Sequence, residues 1–135
     1  MLKIPIFNTI RNFSSLIYLV EDMSVTEREG IVMIKSKMIL TDGSNLRVSE
    51  VWIDETLEKY SYYWFDEENK LLIGWDNAPH WETTKTFPHH KHVKRKDKVE
   101  SSEERSLDDV MEYIRKLITM YSKISTAANL KTQKF

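Results

Sequence analysis

The chain has 135 residues, 41% hydrophobic and 30% charged, with a formal net charge of −1. That is long enough to bury a core as a single domain, 1–135. The balanced charge excludes a polycation, so any nucleic-acid contact must come from a local patch, and the lack of cysteine excludes disulfides and thiolate zinc sites and suits a cytoplasmic protein.

The opening Met1-Leu2-Lys3-Ile4-Pro5-Ile6 is too short and too broken for a signal peptide, and no apolar run approaches a membrane span. Residues 8–22 place Ile10, Phe13, Ile17 and Val20 at spacings of three and four, which predicts a helix with Asn8 or Thr9 as its cap. The polar stretch from Ser24 to Gly30 predicts a turn. Ile31 to Leu40 reads as a strand, and Thr41-Asp42-Gly43-Ser44 follows it. With Asp42 and Gly43 as a two-residue type I′ turn, Thr41 faces Ser44, Met33 faces Trp52, Met38 faces Arg47, and Lys35 faces Glu50 as a cross-strand ion pair.

Leu57–Phe65 and Lys70–Trp75 predict a second hairpin over the loop Asp66-Glu67-Glu68-Asn69. In that register Trp64 faces Leu71, Tyr62 faces Ile73 and Tyr60 faces Trp75. Tyr60, Tyr62, Trp64, Ile73 and Trp75 then share one greasy face, while Lys59, Ser61, Tyr63, Leu72, Gly74 and Asp76 occupy the other. Gly74 opposite Ser61 leaves a shallow trough that either admits a ligand or seats a large side chain.

All four histidines and two of the three prolines fall between Asp76 and His92, in Asp76-Asn77-Ala78-Pro79-His80-Trp81 and Phe87-Pro88-His89-His90-Lys91-His92. Histidine titrates nearest neutrality, so this stretch is where proton transfer or metal ligation is most accessible. The sheet and its His-rich loop thus extend over 31–93. Lys94, Arg95, Lys96 and Lys98 follow, then Glu100, Glu103 and Glu104, the signature of a solvated loop. Ser106 predicts the cap of a helix over 106–121, with Asp109 completing a weak capping box and Val110, Ile114, Leu117, Ile118 and Tyr121 forming its apolar stripe. The pattern fades over 122–135, read as a weakly structured tail. The expected fold is α+β: a four- to five-stranded antiparallel sheet of two consecutive hairpins, with an N-terminal and a C-terminal helix packed on one face.

Three readings compete for the His-rich stretch. The first is acid–base catalysis of RNA cleavage by His89 and His92 with His90 beside them and Asp76 orienting a ring, while Lys91, Lys94, Arg95 and Lys96 hold phosphates and Tyr63 stacks a base. The second is a proline-bounded loop whose histidines serve only structure. The third is a zinc or nickel site on the histidines and Asp76, although no helical His-Glu-x-x-His spacing is present. The first reading requires the chain between Asn77 and Pro88 to fold back on the sheet, placing His89 or His92 within reach of Asp76 or a tyrosine hydroxyl.

The segments Leu40-Thr41-Asp42-Gly43-Ser44, Glu50, Tyr60-Ser61-Tyr62, Trp75-Asp76-Asn77-Ala78-Pro79-His80 and Phe87-Pro88-His89-His90-Lys91-His92-Val93 together resemble the TumE-like family of small prokaryotic toxin–antitoxin proteins over roughly residues 30–115. Trp81 departs from that pattern, where a smaller or polar residue is expected. The resemblance implies the toxin half of a two-gene type II module with a cognate antitoxin as partner. Joined to the residue reading, it leads to a metal-independent ribonuclease that needs no cofactor and no membrane and is compatible with a homodimer. The competing expectations are a protein that inhibits by contact without catalysis and a His-based metal-binding protein.

Overall fold

The computed structural model describes residues 4–132, and side chains as far as Ile124. Helix α1 covers Pro5–Asn12, seven strands follow, and helix α2 covers Leu107–Thr132. The strands are β1 (Ile17–Arg28), β2 (Ile31–Leu40), β3 (Asn45–Ile53), β4 (Thr56–Phe65), β5 (Leu71–Asp76), β6 (His90–Val93) and β7 (Val99–Ser101). They form one antiparallel meander in chain order. The α+β class stands, but the sheet has seven strands rather than four or five.

The two extra N-terminal and C-terminal strands come from segments read otherwise. The expected helix over 8–22 is a short helix and then an edge strand. Pro5 occupies the first helical turn, where its missing N–H costs nothing, and the helix ends before Phe13. Ile17-Tyr18-Leu19-Val20 then favours extended backbone, because β-branched and aromatic side chains fit the pleat better than a helix. Thr9 is no cap: its Oγ1 lies inside the helix and donates to Asp108 Oδ1 at 2.7 Å. β1 runs through the expected turn at Ser24 and reverses at Glu29-Gly30, both at positive φ (53° and 80°). The short β7 needs β6 as its template and carries no pattern of its own.

Both predicted hairpins form, with shifted registers. Leu40 N–H donates to Ser44 O (2.8 Å) and Gly43 N–H to Leu40 O (3.0 Å), so the loop is the three residues Thr41-Asp42-Gly43, with Gly43 at φ +87°. The extra loop residue moves every pairing by one: Met33 faces Val51, Met38 faces Leu46, and Glu50 faces Ile34 instead of Lys35. In the second hairpin Tyr62 faces Trp75 and Trp64 faces Ile73, two positions from expectation, with a bulge beside Phe65. An even slip preserves the faces. Tyr60, Tyr62, Trp64, Ile73 and Trp75 are all buried in one core with Ile6, Phe13, Val110, Met111 and Ile114 of the helical segments.

Ser106 caps α2 as the sequence indicates: it accepts from Asp109 N–H (3.2 Å) while Asp109 accepts from Arg105 N–H (3.1 Å). The helix continues to Thr132, so 122–132 is helical rather than a loose tail. The remainder of that expectation, 133–135, lies outside the described residues. The Tyr113 and Trp75 rings meet nearly perpendicular, with centroids 5.5 Å apart, which seats α2 over the aromatic face.

Candidate functional site

Pairing positions define which side chains share the reverse face. One row across the sheet reads Asp22, Lys37, Arg47, Tyr63, Gly74, His92, Val99, and the next reads Ser24, Lys35, Ser49, Ser61, Asp76, His90, Ser101. His90 and His92 are alternate residues of β6, so both rings point to this face. Asp76 lies directly opposite His90.

The three side chains meet. Asp76 Oδ1 lies 2.8 Å from His90 Nε2, and Oδ2 lies 3.1 Å from His92 Nε2. All three are buried, at 7%, 1% and 5% exposure. The carboxylate is further fixed by the Tyr63 hydroxyl, which donates to Oδ2 at 2.9 Å, and by Ala78 N–H, which donates to Oδ1 at 3.0 Å. Tyr63 fills the trough at Gly74, where a β-carbon would sit 2.4 Å from the ring; the trough seats a large side chain. Burial, then the Asp76 charge, pushes the Tyr63 hydroxyl well above the usual tyrosine range and keeps it a donor.

The remaining imidazole nitrogens face main chain. His90 Nδ1 lies 2.9 Å from Pro88 O, and His92 Nδ1 lies 2.7 Å from Lys96 O. The chain from Asn77 to His89 does fold back. Asn77 accepts from Tyr60 N–H and donates to Glu58 O, both at 3.0 Å. A succession of tight turns then brings the Trp81 ring across the His92 ring, with centroids 6.4 Å apart. Two oxygen acceptors and two ring nitrogens on one spot are a donor set for a divalent cation, and Asp76, His90 and His92 form such a group.

The other sequence candidates disperse. His89 turns to the helix side, where its Nδ1 lies 2.8 Å from the Tyr60 hydroxyl and its ring stacks on Tyr60. Burial, with Arg105 nearby, lowers its pKa from the ordinary histidine value. Lys91 shares the Trp75 side of the sheet, lies 3.5 Å from Glu104 and sits over the Tyr113 ring. Arg95 pairs with Asp97 at 3.2 Å, and Lys94 lines an apolar groove beside α2. Lys96 borders the reverse face with Arg47, Ser49, Ser61, Tyr63 and Phe65 around a recess of about 230 Å³. A neighbouring groove of about 340 Å³ is lined by Lys59, Ser61, Tyr63, Asp76 and Ala78 among others. Lys59 and Ser61 share the face of Asp76 as the sequence indicates, whereas Arg47 and Ser49 escaped the sequence reading because only the register of β3 on β4 brings them to that face.

A family profile described as Toxin TumE matches residues 6–118. The chain belongs to the TumE toxin family. The match begins in α1 and ends within α2, so it takes in the whole sheet and every residue of the Asp76–His90–His92 cluster. No curated protein and no solved structure matches the chain. Among the described residues no helix is long and apolar enough to cross a membrane.

Proposed function

We propose that this TumE-family chain is the toxin half of a two-component module and that it acts on RNA as a ribonuclease, at the reverse face of the sheet. The observation that carries the reading is the segregation of charge. The chain is near neutral overall, yet Lys35, Arg47 and Lys59 lie on one sheet face with Lys96 at its border; Arg47 and Lys96 line one recess, and Lys59 lines the neighbouring groove that reaches Asp76. Serines and the Tyr63 ring between these cations supply hydrogen bonds and a stacking surface, the mixture that single-stranded nucleic acid favours. The reaction centre in this reading is Asp76, His90 and His92. His89 belongs to a separate contact with Tyr60 and is not paired with His92 as a second acid–base group.

An antitoxin is the expected partner. Support comes from an apolar groove of about 660 Å³ between the sheet and α2, lined by Leu72, Ile73, Val93, Leu117, Ile118 and Tyr121. Tyr121 is exposed at its rim.

The test is binding and cleavage of a labelled single-stranded RNA of mixed sequence. Each phosphate neutralised contributes about −0.7 to the slope of log affinity against log salt. Replacing Arg47, Lys59 and Lys96 together by glutamine should flatten that slope by roughly two, whereas Lys116→Gln on α2 should leave it unchanged. Asp76→Asn should bind RNA and fail to cut it. RNA that stays unbound and intact with wild-type protein still able to arrest growth would overturn the reading.

A further inference from the structure

We infer that Asp76, His90 and His92 bind one divalent transition-metal ion. The argument begins with hydrogen accounting. A backbone carbonyl only accepts, so the contacts to Pro88 O and Lys96 O require a proton on Nδ1 of both histidines. In a neutral imidazole the other nitrogen is then a lone pair. Each Nε2 nevertheless points at an oxygen of the same carboxylate, at 2.8 and 3.1 Å, so acceptor faces acceptor twice. One proton on Asp76 can relieve only one of these contacts. Protonating both rings relieves both, but leaves two imidazolium groups buried against a single carboxylate. A cation shared by the three groups satisfies every lone pair at once.

The surroundings fit that assignment. The donor atoms lie within 4.8 Å of one another. The two rings are nearly perpendicular, at 86°, so they approach from separate directions instead of stacking. Each histidine is held through Nδ1–H by a carbonyl, and Asp76 is held by Tyr63 and Ala78, the outer contacts that fix ligand orientation around bound metals. Ligands about 2.1 Å from a four-coordinate ion stand roughly 3.4 Å apart, so loading lengthens the 2.8 and 3.1 Å contacts by about 0.6 and 0.3 Å and draws in the ligand atoms that stand wider apart, all of them within 4.8 Å. Two imidazoles and one carboxylate select zinc, nickel, cobalt or iron(II) over magnesium and calcium, which prefer all-oxygen shells. Three protein ligands leave a coordination position for a water or a substrate oxygen. This replaces the expectation of a metal-free site. It deepens the RNA reading by placing the ion under the groove, although ion binding itself does not depend on RNA.

The experiment uses full-length protein stripped with chelator and titrated with cobalt(II) and with zinc, followed by calorimetry and visible absorption. The expected result is one ion per chain, with cobalt absorption bands that zinc displaces. His92→Ala and Asp76→Asn should each weaken binding at least tenfold, and Tyr63→Phe about tenfold to a hundredfold, as loss of an outer contact does. His80→Ala and His89→Ala should bind as the wild type does. Absence of uptake by folded wild-type protein overturns the inference and favours the doubly protonated pair, as does uptake indifferent to both His92→Ala and Asp76→Asn. RNA cleavage by protein that takes up no ion overturns the metal site alone. Uptake of one ion by protein that leaves RNA untouched supports the metal site and overturns the RNA reading.

Discussion

Glu50 illustrates how far a single position can depend on register. In a two-residue hairpin it is one half of an ion pair with Lys35; in the observed one it faces the core, 3% exposed, and accepts from the Tyr62 hydroxyl and from Trp52 Nε1. Burial raises its pKa above the ordinary 4.5, against the lowering effect of those two donors. A raised folded value means that the native chain holds the proton better than the unfolded chain. The contribution of Glu50 is therefore complete below the ordinary value and is lost as pH rises through the raised one. Urea midpoints measured from acid to neutral pH should show wild-type protein losing stability relative to Glu50→Gln as pH increases, and a constant difference would refute the assignment. Asp76 was legible as a site residue because it ends a strand beside every histidine. Its tie to Tyr63 was not, since sequence placed Ser61 rather than Tyr63 opposite Gly74.

At the scale of elements, the aromatic alternation of β4 and β5 was legible because a period of two fixes faces even when pairing slips by two residues. The turns were less so. Asp42-Gly43 signals a hairpin correctly but does not distinguish two loop residues from three. The turn at Asp54-Glu55 gives no glycine signal at all, yet both residues sit at positive φ, 48° and 68°. A side chain in that region costs about 1–2 kcal/mol relative to glycine. Gly43→Ala should therefore destabilise by roughly 1 kcal/mol or more, the three nearest neighbours of the new β-carbon being atoms of the flexible Glu67 side chain. Glu55→Gly should stabilise by a few tenths to about 1 kcal/mol, strain relief being partly offset by chain entropy. Thermal unfolding of the two variants should move in opposite directions. Segment 17–28 was illegible because Ile17 and Val20 also satisfy a helical spacing, and only pairing with β2 decides between the two.

For the whole molecule, the sheet separates two chemistries that the sequence interleaves. Tyr60, Tyr62 and Trp64 of β4 build a greasy layer with the helices; the alternating Lys59, Ser61 and Tyr63 turn to the face of Asp76, His90 and His92. The same alternation sends Lys91 away from its histidine neighbours, which is why a run of adjacent residues in sequence resolves into two surfaces. Family membership attaches toxicity to this chain, and the Asp76–His90–His92 cluster is its proposed seat. Growth after induced expression of Asp76→Asn tests that link most directly, because the substitution nearly preserves shape while removing the carboxylate charge. The expected result is that folded Asp76→Asn protein accumulates and growth continues. Arrest equal to that caused by the wild type, at equal protein level, would contradict it.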